Sequence, residues 1–490
     1  MRKPQFAIAR KSVCAFLVAV GCSGALAQGI AAAPPSVDPQ ALPAPVTAAL
    51  RQAGIAQGSV ATYVQEIDRS QVLLASNASI PVSPASTMKL VTTAAALDLL
   101  GPAYTWKTRA YATGPLDGDV LRGDLVLRGG GDPKLGLENF WLFLRRLRAV
   151  GIREIAGNLV LDRSFFAPEV QAAQDAGMFD GDPAKPYNVG PDALLLNYKA
   201  VSLHFTPNPA TGRAGLRIDP PLAQVAVADP ELAPGDCGDW QAALLLTVTP
   251  ARIGFDGKLP AACGERDWTI HPFGMSRNAY FGAVFRALWR DMGGVFAGDV
   301  IDGSVPPQAR LVIENASASL PEVVRDMNKF SNNVMARQLL LTIAAERQLL
   351  PATPERGAHL IKTWLAQRGI ENPELVIENG SGLSRAERIS AATLGRILVA
   401  AYRAPTMPEF VSSLPLAGVD GTMQRRLQDR SVSGHAHIKT GSLNDVRAIA
   451  GYVQAVSGRW YAVVSIINHR AAARGQEAQD ALLQWIYERG

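Results

Sequence analysis

The stretch S-P-A-S-T-M-K-L, Ser83 to Leu90, opens a mostly apolar run that continues to Leu100. The run is typical of a buried helix, yet it carries Lys89 in the first turn. A helix N-terminus bears partial positive charge, so a cation there is electrostatically unfavourable. Two explanations are open: the side chain of Lys89 extends to solvent, or its position serves chemistry.

Ser86 and Lys89 stand at positions i and i+3, a spacing that places both side chains on one face of a helix. A serine hydroxyl is a poor nucleophile until a neighbouring base takes its proton. A lysine can be that base when its pKa falls, and burial and a helix N-terminus both lower it. Ser-x-x-Lys alone occurs mostly in solvated surface turns, so the motif needs support from elsewhere in the chain.

Two further motifs give that support. S-N-N at 331–333 has the form Ser-x-Asn at the head of a helical segment, and K-T-G-S at 439–442 lies on a strand-like run. Each has an ordinary explanation, an N-capping serine for the first and a turn glycine for the second. Together, and in this order, the three motifs are typical of penicillin-recognising serine enzymes.

The likeness extends to longer segments: P-A-S-T-M-K at 84–89, M-N-K-F-S-N-N at 327–333, N-G-S-G-L-S-R at 379–385 and K-T-G-S-L at 439–443. With these the chain resembles the class C low-molecular-mass penicillin-binding proteins of the peptidase S13 family. Those are periplasmic D-alanyl-D-alanine carboxypeptidases and endopeptidases. The resemblance implies hydrolysis of peptidoglycan stem peptides and cross-links, with β-lactam antibiotics as covalent inhibitors. The chain departs from the usual pattern at Asn379, where Asp is more frequent, and at Asn332, where Ser-Asp-Asn is common.

The same resemblance agrees with roles for the matching residues. Ser86 attacks the carbonyl of the penultimate D-Ala, Lys89 is the general base, and Ser331 relays a proton to the leaving amine. The backbone N–H groups of Ser86 and Ser442 form the oxyanion hole, and Lys439 attracts the terminal carboxylate. The predicted catalytic residues are Ser86, Lys89 and Ser331, and the predicted substrate-binding residues are Asn333, Lys439, Thr440, Gly441, Ser442, Arg385 and Asp182.

Arg385 and Asp182 are assigned to the side chain of the peptide's diamino acid. Arg385 belongs to the N-G-S-G-L-S-R turn, whereas Asp182 lies in the loop D-P-A-K-P-Y-N. An acid there would suit a cationic amine, with Tyr187 as a wall for its stem. A solvated acid in a proline-rich loop is an equally good explanation.

Strand patterns predict that the catalytic domain is split. One hairpin is formed by S-V-A-T-Y-V-Q-E-I and Q-V-L-L-A-S from residue 59, and another by two strand-like runs between 447 and 468. We expect these hairpins to pair in one sheet. The predicted fold is α/β: a β-lactamase/transpeptidase-like domain, an antiparallel sheet flanked by helices, from residues 28–104 and 318–490. A large β-rich insertion at 105–317 forms two small domains, and residues 28–50, rich in Ala and Pro, are predicted to be a linker or loosely packed arm.

Residues 1–27 have the features of a secretory signal peptide, with a basic start, an apolar run from Val13 to Val20 and A-L-A before Gln28. We therefore predict a periplasmic protein. Lipidation at Cys22 is a less favoured alternative, because Ala19 stands where such sites usually have Leu. No later segment has about 18 uninterrupted apolar residues, so no transmembrane segment is expected in the mature chain.

The charge balance gives no support for a nucleic-acid-binding protein, and the histidine spacing gives none for a metalloprotein. Residues 1–27 hold four of the 48 basic residues, which leaves 44 against 43 acidic ones and no charge argument for nucleic acid. Cys237 and Cys263 remain in the mature chain, and export predicts a disulfide between them, with free thiols as the alternative. The six histidines show no metal-binding spacing, so we expect no metal and no other cofactor.

Two rival functions are consistent with part of this pattern. A serine β-lactamase would share the three motifs, but the chain has no Glu-x-x-Leu-Asn run and no Tyr-x-Asn in the middle position. A wall-binding protein without turnover would be expected to have lost Ser86 or Lys89.

Overall fold

The structure, a computed structural model, describes residues 40–69, 71–172, 179–347 and 351–490. The predicted signal peptide and Cys22 lie outside these ranges. The helices within them are α1 (Ala44–Ala53), α2 (Lys89–Leu99), α3 (Leu137–Ala149), α4 (Pro168–Ala172), α5 (Trp240–Leu244), α6 (Arg277–Asp291), α7 (Leu320–Lys329), α8 (Asn333–Glu346), α9 (Pro354–Gln367), α10 (Ala391–Tyr402), α11 (Met407–Ser413) and α12 (Gln476–Arg489).

The strands, in chain order, are β1 (Val60–Glu66), β2 (Val72–Ser76), β3 (Pro81–Val82), β4 (Thr105–Ala112), β5 (Leu116–Asp117), β6 (Val120–Leu121), β7 (Leu125–Arg128), β8 (Glu154–Ile155), β9 (Leu159–Asp162), β10 (Val201–Asn208), β11 (Arg213–Asp219), β12 (Ala226–Val227), β13 (Leu232–Ala233), β14 (Leu246–Thr249), β15 (Arg252–Phe255), β16 (Leu259–Pro260), β17 (Arg266–Ile270), β18 (Val295–Phe296), β19 (Val300–Asp302), β20 (Arg310–Ser319), β21 (Ile389–Ser390), β22 (Ala436–Leu443), β23 (Val446–Gln454) and β24 (Trp460–Asn468).

A five-stranded antiparallel sheet, in the order β2-β1-β24-β23-β22, joins the two ends of the described chain. β1 pairs with β24 from Val60 opposite Ile467 to Glu66 opposite Tyr461. Successive side chains of a strand point to opposite faces, and here both faces are apolar. On β23, Ile449 packs in a cluster with α1 and α12, while its neighbour Ala450 packs with α2, α8 and α10. The predicted α/β fold and the pairing of the two hairpins are therefore confirmed.

Between α2 and α7 the chain forms further sheets. β4 and β20 pair with each other in a second five-stranded sheet, β19-β9-β7-β4-β20, next to smaller sheets that include β18-β8-β6-β5, β11-β10-β17 and β12-β15-β14. One apolar cluster runs through them, and α3 and α6 contribute large side chains to it. A disulfide joins Cys237 and Cys263 in this part of the chain. We propose residues 105–317 as the inserted region, because the chain leaves and returns on paired strands.

The region predicted as a loosely packed arm, residues 28–50, is in part a packed helix, so that prediction was wrong from residue 44. α1 buries Val46 and Leu50 against α12 and the sheet. Its prolines stand before and within the first turn, where the missing N–H of proline breaks no helical hydrogen bond. Gly54, with φ of 68°, then ends the helix in the left-handed conformation that glycine adopts without strain.

Gln338 ties the middle of α8 to the β-rich region. The side chain is fully buried, and its Nε2 donates to the carbonyl oxygens of Gly131, at 3.2 Å, and Asp192, at 2.8 Å. Its Oε1 accepts the Asp192 N–H at 2.9 Å. Buried polar groups are costly when unpaired. These three bonds therefore hold the β-rich region against α8, the helix that begins with Asn333. None of the helices in the described ranges has both the length and the apolarity to cross a membrane.

Candidate active site

The predicted nucleophile lies on a 3₁₀ turn, Ala85–Met88, that leads directly into α2. Ala85 has a φ of 45°, a left-handed conformation that is strained for a residue with a Cβ and that occurs most often at functional sites. Two glycines from other segments press on this turn. A Cβ placed on Gly382 would lie 1.8 Å from the Ala85 carbonyl oxygen, and one on Gly441 would lie 2.9 Å from the Ser86 nitrogen. Only glycine permits the first approach.

Lys89 does not extend to solvent; its side chain is completely buried. Its Nζ contacts three oxygens: Ser86 Oγ at 2.9 Å, Asn333 Oδ1 at 2.6 Å and the Ser381 carbonyl at 2.5 Å. Burial lowers the pKa of Lys89 well below its usual value, and the nearby Lys439 lowers it further. Once neutral, the amine offers a lone pair to the Ser86 hydroxyl at hydrogen-bond distance, which is the geometry a general base requires.

Lys439 is the second buried lysine, on β22. Its Nζ donates to Ser331 Oγ at 2.8 Å and to the Thr440 carbonyl at 2.7 Å. Burial lowers its pKa to about 7. A cation held among neutral oxygens in a low-dielectric site gains strongly from an incoming carboxylate, which suits the predicted role.

Ser331 and Asn333 connect the two lysines. Ser331 has a φ of 58° and stands between α7 and α8, with its hydroxyl directed to Lys439. The helix cap is supplied by the next residue, Asn332, whose side chain accepts the Met335 N–H at 3.0 Å. The alternative of an N-capping serine is therefore wrong for Ser331. Asn333, as the first residue of α8, is left to contact Lys89.

β22 is an edge strand of the catalytic sheet. Residues 415–417 cover its outer side at Ala436 and Ile438, and beyond Ile438 no backbone-to-backbone hydrogen bond of the described residues closes that side, which leaves it available to a ligand. Thr440 lies on it, and its Oγ1 donates to Thr422 Oγ1 at 2.7 Å. Gly441 is buried against the nucleophile turn, whereas Ser442 is exposed. The residues predicted from K-T-G-S thus lie beside Ser86, in a row along a strand whose edge faces outwards.

Arg385 lies at the rim of a neighbouring cavity of about 760 Å³, with Asn379 and Arg337 also in its lining. Its guanidinium is 2.8 Å from Asp445 in the β22–β23 turn and stacks over the ring of Phe179 at 4.9 Å. Because more than half of each charged side chain is exposed, the ion pair adds little stability. It does place Arg385 at the end of the strand that carries Lys439.

Asp182 is not joined to this group by any contact recorded in the described residues. Its carboxylate accepts the Ala184 N–H at 3.1 Å and lies 3.6 Å from Lys185 Nζ, within its own loop. The more connected acid of this loop is Asp180, which bonds to Tyr187, Lys185 and Asn188. The contacts of Asp182 agree with the solvated-acid explanation as well as with the binding one.

Three participants were not predicted from the sequence: the Ser381 carbonyl that bonds to Lys89, the Thr422 hydroxyl and the buried Glu387. The N-G-S-G-L-S-R turn did give a signal for the first, since glycines on both sides of a serine indicate close backbone approach. Nothing in the sequence marks Thr422 or Glu387.

An enzyme class follows from this geometry. A serine hydroxyl, a buried amine able to take its proton, and a second buried cation next to an edge strand provide for acyl transfer from substrates that end in a carboxylate. This is the arrangement of the penicillin-recognising serine enzymes.

The chain belongs to the D-Ala-D-Ala carboxypeptidase 3 (S13) family, which matches residues 42–489. The resemblance noted from the motifs is confirmed, and the protein is a serine-type D-Ala-D-Ala carboxypeptidase.

Relatives and solved structures agree with this family. The chain is 28% identical over 424 residues to D-alanyl-D-alanine carboxypeptidase DacB of Haemophilus influenzae, covering 84% of this chain and 85% of that protein. It is 29% identical over 407 residues to a D-alanyl-D-alanine carboxypeptidase of an Actinomadura species, covering 79% and 73%. The crystal structure of penicillin binding protein 4 from Haemophilus influenzae is similar with a TM-score of 0.75 at 25% identity, covering 90% of this chain and 99% of that one.

Proposed function

We propose that the protein is a periplasmic D-alanyl-D-alanine carboxypeptidase and endopeptidase that hydrolyses peptidoglycan stem peptides and cross-links through an acyl-enzyme on Ser86, and that β-lactams acylate the same serine. The observation that carries this proposal is the 2.9 Å contact between Ser86 Oγ and the fully buried Nζ of Lys89. Export rests on the signal-peptide features of residues 1–27.

Substrate binding uses the edge of β22. The stem peptide lies along this strand as an added strand, and its terminal carboxylate approaches Lys439. That carboxylate restores the full positive charge of a lysine whose pKa burial has lowered to about 7. Arg385 and Asp182 are proposed to bind the side chain of the diamino acid.

Acylation begins when neutral Lys89 takes the Ser86 proton. Oγ attacks the carbonyl carbon of the penultimate D-Ala, and the oxyanion is stabilised by the N–H groups of Ser86 and Ser442, each such donor being typically worth about 3–4 kcal/mol. The tetrahedral intermediate expels the amine of the terminal residue, which takes a proton from Ser331, and Ser331 is reprotonated through Lys439, to which it is hydrogen-bonded. The net transfer is one proton from Lys89 to the amine, so Lys89 is neutral again before deacylation. The product is an ester on Ser86 and a free D-Ala, or a free peptide when the substrate is a cross-link.

Deacylation repeats the chemistry with water as the nucleophile. Lys89 accepts a proton from water, the water oxygen adds to the ester carbonyl, and the Ser86 oxygen leaves with a proton from Lys89. A β-lactam forms the same ester, but its leaving amine stays tethered in the opened ring, so the adduct persists.

The test is intact-mass spectrometry of the protein after reaction with benzylpenicillin, followed over time. We expect a long-lived adduct of one penicillin in the wild type and none in Ser86→Ala. Ser83→Ala is a matched control, because Ser83 is held through its backbone N–H and carbonyl by Asn468 and should still allow the adduct. A short-lived adduct with rapid loss of penicillin would indicate a β-lactamase instead. No adduct in the wild type would refute the assignment.

A further inference from the structure

Glu387 is a buried carboxylate that the mechanism above does not use. It is completely inaccessible to solvent and precedes the short strand β21. Its Oε1 accepts three backbone N–H groups, from Glu378 at 3.2 Å, Asn379 at 3.0 Å and Gly380 at 2.9 Å. Its Oε2 has no hydrogen-bond partner within the described residues. An ionised group in this environment is costly, so its presence calls for a reason.

The three N–H groups belong to the turn that holds the general base. The same turn presents the Ser381 carbonyl to Lys89 Nζ at 2.5 Å, and the Gly380 carbonyl accepts the Thr92 hydroxyl of α2 at 2.8 Å. Gly382, in the same turn, lies against the strained residue before the nucleophile. Glu387 therefore holds, through the N–H groups of the turn, the backbone whose Ser381 carbonyl orients Lys89.

The charge of Glu387 also acts on Lys89. The charged groups that influence the Lys89 ammonium are Lys439 from β22 and Arg337 from α8, both cations, and Glu387, which opposes them. Glu387 in turn faces Lys89 and Arg337, while Glu378 faces Arg337 as well. Burial raises the pKa of Glu387, whereas its three N–H partners and Lys89 lower it and favour the anion. The ionised Glu387 is the negative charge among these neighbours of Lys89.

Two acids serve the 378–382 turn: Glu378, which belongs to it, and Glu387, which follows it in the chain. Asn379 is neutral, and its side chain is bonded within the turn to Ser381 and Leu383. Its backbone N–H is one of the three groups that Glu387 accepts. Of the two acids, Glu387 is thus the one whose carboxylate accepts the backbone N–H groups of the turn, whereas Glu378 accepts the Ser384 hydroxyl.

We propose that Glu387 is a positioning residue for acylation, which orders the 378–382 turn against Lys89 and supplies the anion that balances the cations around it. This proposal rests on the proposed role of Lys89 as general base. With the anion in place, Lys89 holds its proton to a higher pH than two neighbouring cations would otherwise allow. The amine is therefore basic enough to accept the proton of Ser86.

The test is the pH dependence of the acylation rate by benzylpenicillin, measured on the full chain. Glu387→Gln keeps an oxygen for the three N–H groups and removes the charge. The ascending limb, which reports deprotonation of Lys89, should move by about one unit to lower pH, the scale of shift caused by a nearby buried charge. Glu387→Asp keeps the charge but shortens the side chain, so the limb should stay in place while the rate falls about tenfold at every pH.

Glu374→Gln is the matched control. Glu374 is a carboxylate of the same segment that accepts the hydroxyls of Ser390 and Thr393 at 2.6 Å, and its removal should leave the limb where it is. The proposal would be overturned if the ascending limb of the pH profile of Glu387→Gln coincided with that of the wild type. It would also be overturned if the limb of Glu387→Asp moved as far as that of Glu387→Gln. In both cases the wild-type protein would still be acylated, so the proposed function would stand; absence of wild-type acylation would instead refute that function, and the role of Glu387 with it.

Discussion

The charge state of Lys439 should control how well the site binds a carboxylate. Its pKa is lowered to about 7 by burial. Between pH 6 and pH 8 the cationic fraction of the free enzyme therefore falls from about 0.9 to about 0.1, since one pH unit on either side of a pKa changes the ratio of the two forms tenfold. A ligand that needs the cation should bind about tenfold more weakly at pH 8 than at pH 6.

Binding can be separated from chemistry with the Ser86→Ala variant. We would measure the Kd of a peptide ending in D-Ala-D-Ala by calorimetry at pH 6, 7 and 8, together with the same peptide as a C-terminal amide. The Kd of the carboxylate peptide should increase about tenfold from pH 6 to pH 8, and the Kd of the amide should change less than twofold. Equal pH dependence of the two peptides, or a flat Kd for the carboxylate, would refute the assignment of Lys439.

The same pKa has a consequence for stability. Between about pH 7 and the usual lysine value of 10.5, the unfolded chain carries a proton on Lys439 that the folded chain lacks. Because stability rises with pH wherever the unfolded state binds more protons, the contribution of this lysine should increase through that window, by at most about 1.4 kcal/mol per pH unit. Its sign can be checked by comparing urea unfolding of the wild type and Lys439→Met across the window.

Three further outcomes are expected. Gly382→Ala should slow acylation about a hundredfold, because the added methyl group would lie 1.8 Å from a backbone oxygen. Gly458→Ala is the control: its φ of 82° is nearly the same, but the space around it is open, so it should keep the wild-type rate. Equal acylation rates for the two variants would contradict the close packing at Gly382. Gln338→Leu leaves buried backbone groups unpaired and should lower the free energy of unfolding by about 2–4 kcal/mol in urea, while a loss below about 0.5 kcal/mol would show that the link between α8 and the β-rich region is not structural. Replacing Cys237 and Cys263 by serine should cost about 3 kcal/mol through the entropy of the loop that they close, and unchanged unfolding on reduction would count against this.

The motif-bearing parts of the fold could be predicted because their signals are local. Short apolar runs predict the strands around residues 60 and 460, and Ser86 and Lys89 are separated by a spacing that places them on one face of a helix. Helix α1 was missed because Ala and Pro dominate its sequence; the apolar residues that pack it, Val46 and Leu50, gain their significance from α12 at the other end of the chain.

The parts of the site that could not be predicted are long-range backbone contacts. A carbonyl such as that of Ser381 has no residue-specific signature, and Glu387 looks like any charged residue in a loop until its three N–H partners are seen. Arg385 pairs with Asp445 after the K-T-G-S strand, a contact that the sequence did not indicate, and its predicted role in binding the diamino acid stays a prediction. Asp182 shows the converse, an attractive residue type whose recorded contacts stay within its own loop.

The pairing of β1 with β24 also determines when the catalytic sheet can form during synthesis and folding of the chain. β1 is translated before the whole β-rich region, whereas β22, which lies beside Ser86, and β24, which pairs with β1, are translated after it. A nascent chain interrupted in between would expose one bare edge of β1, which is a template for association with other chains. It would also carry the nucleophile without the strand that completes its site. The site of this chain is therefore complete only when the segments that carry β22 and β24 have joined the earlier part of the sheet.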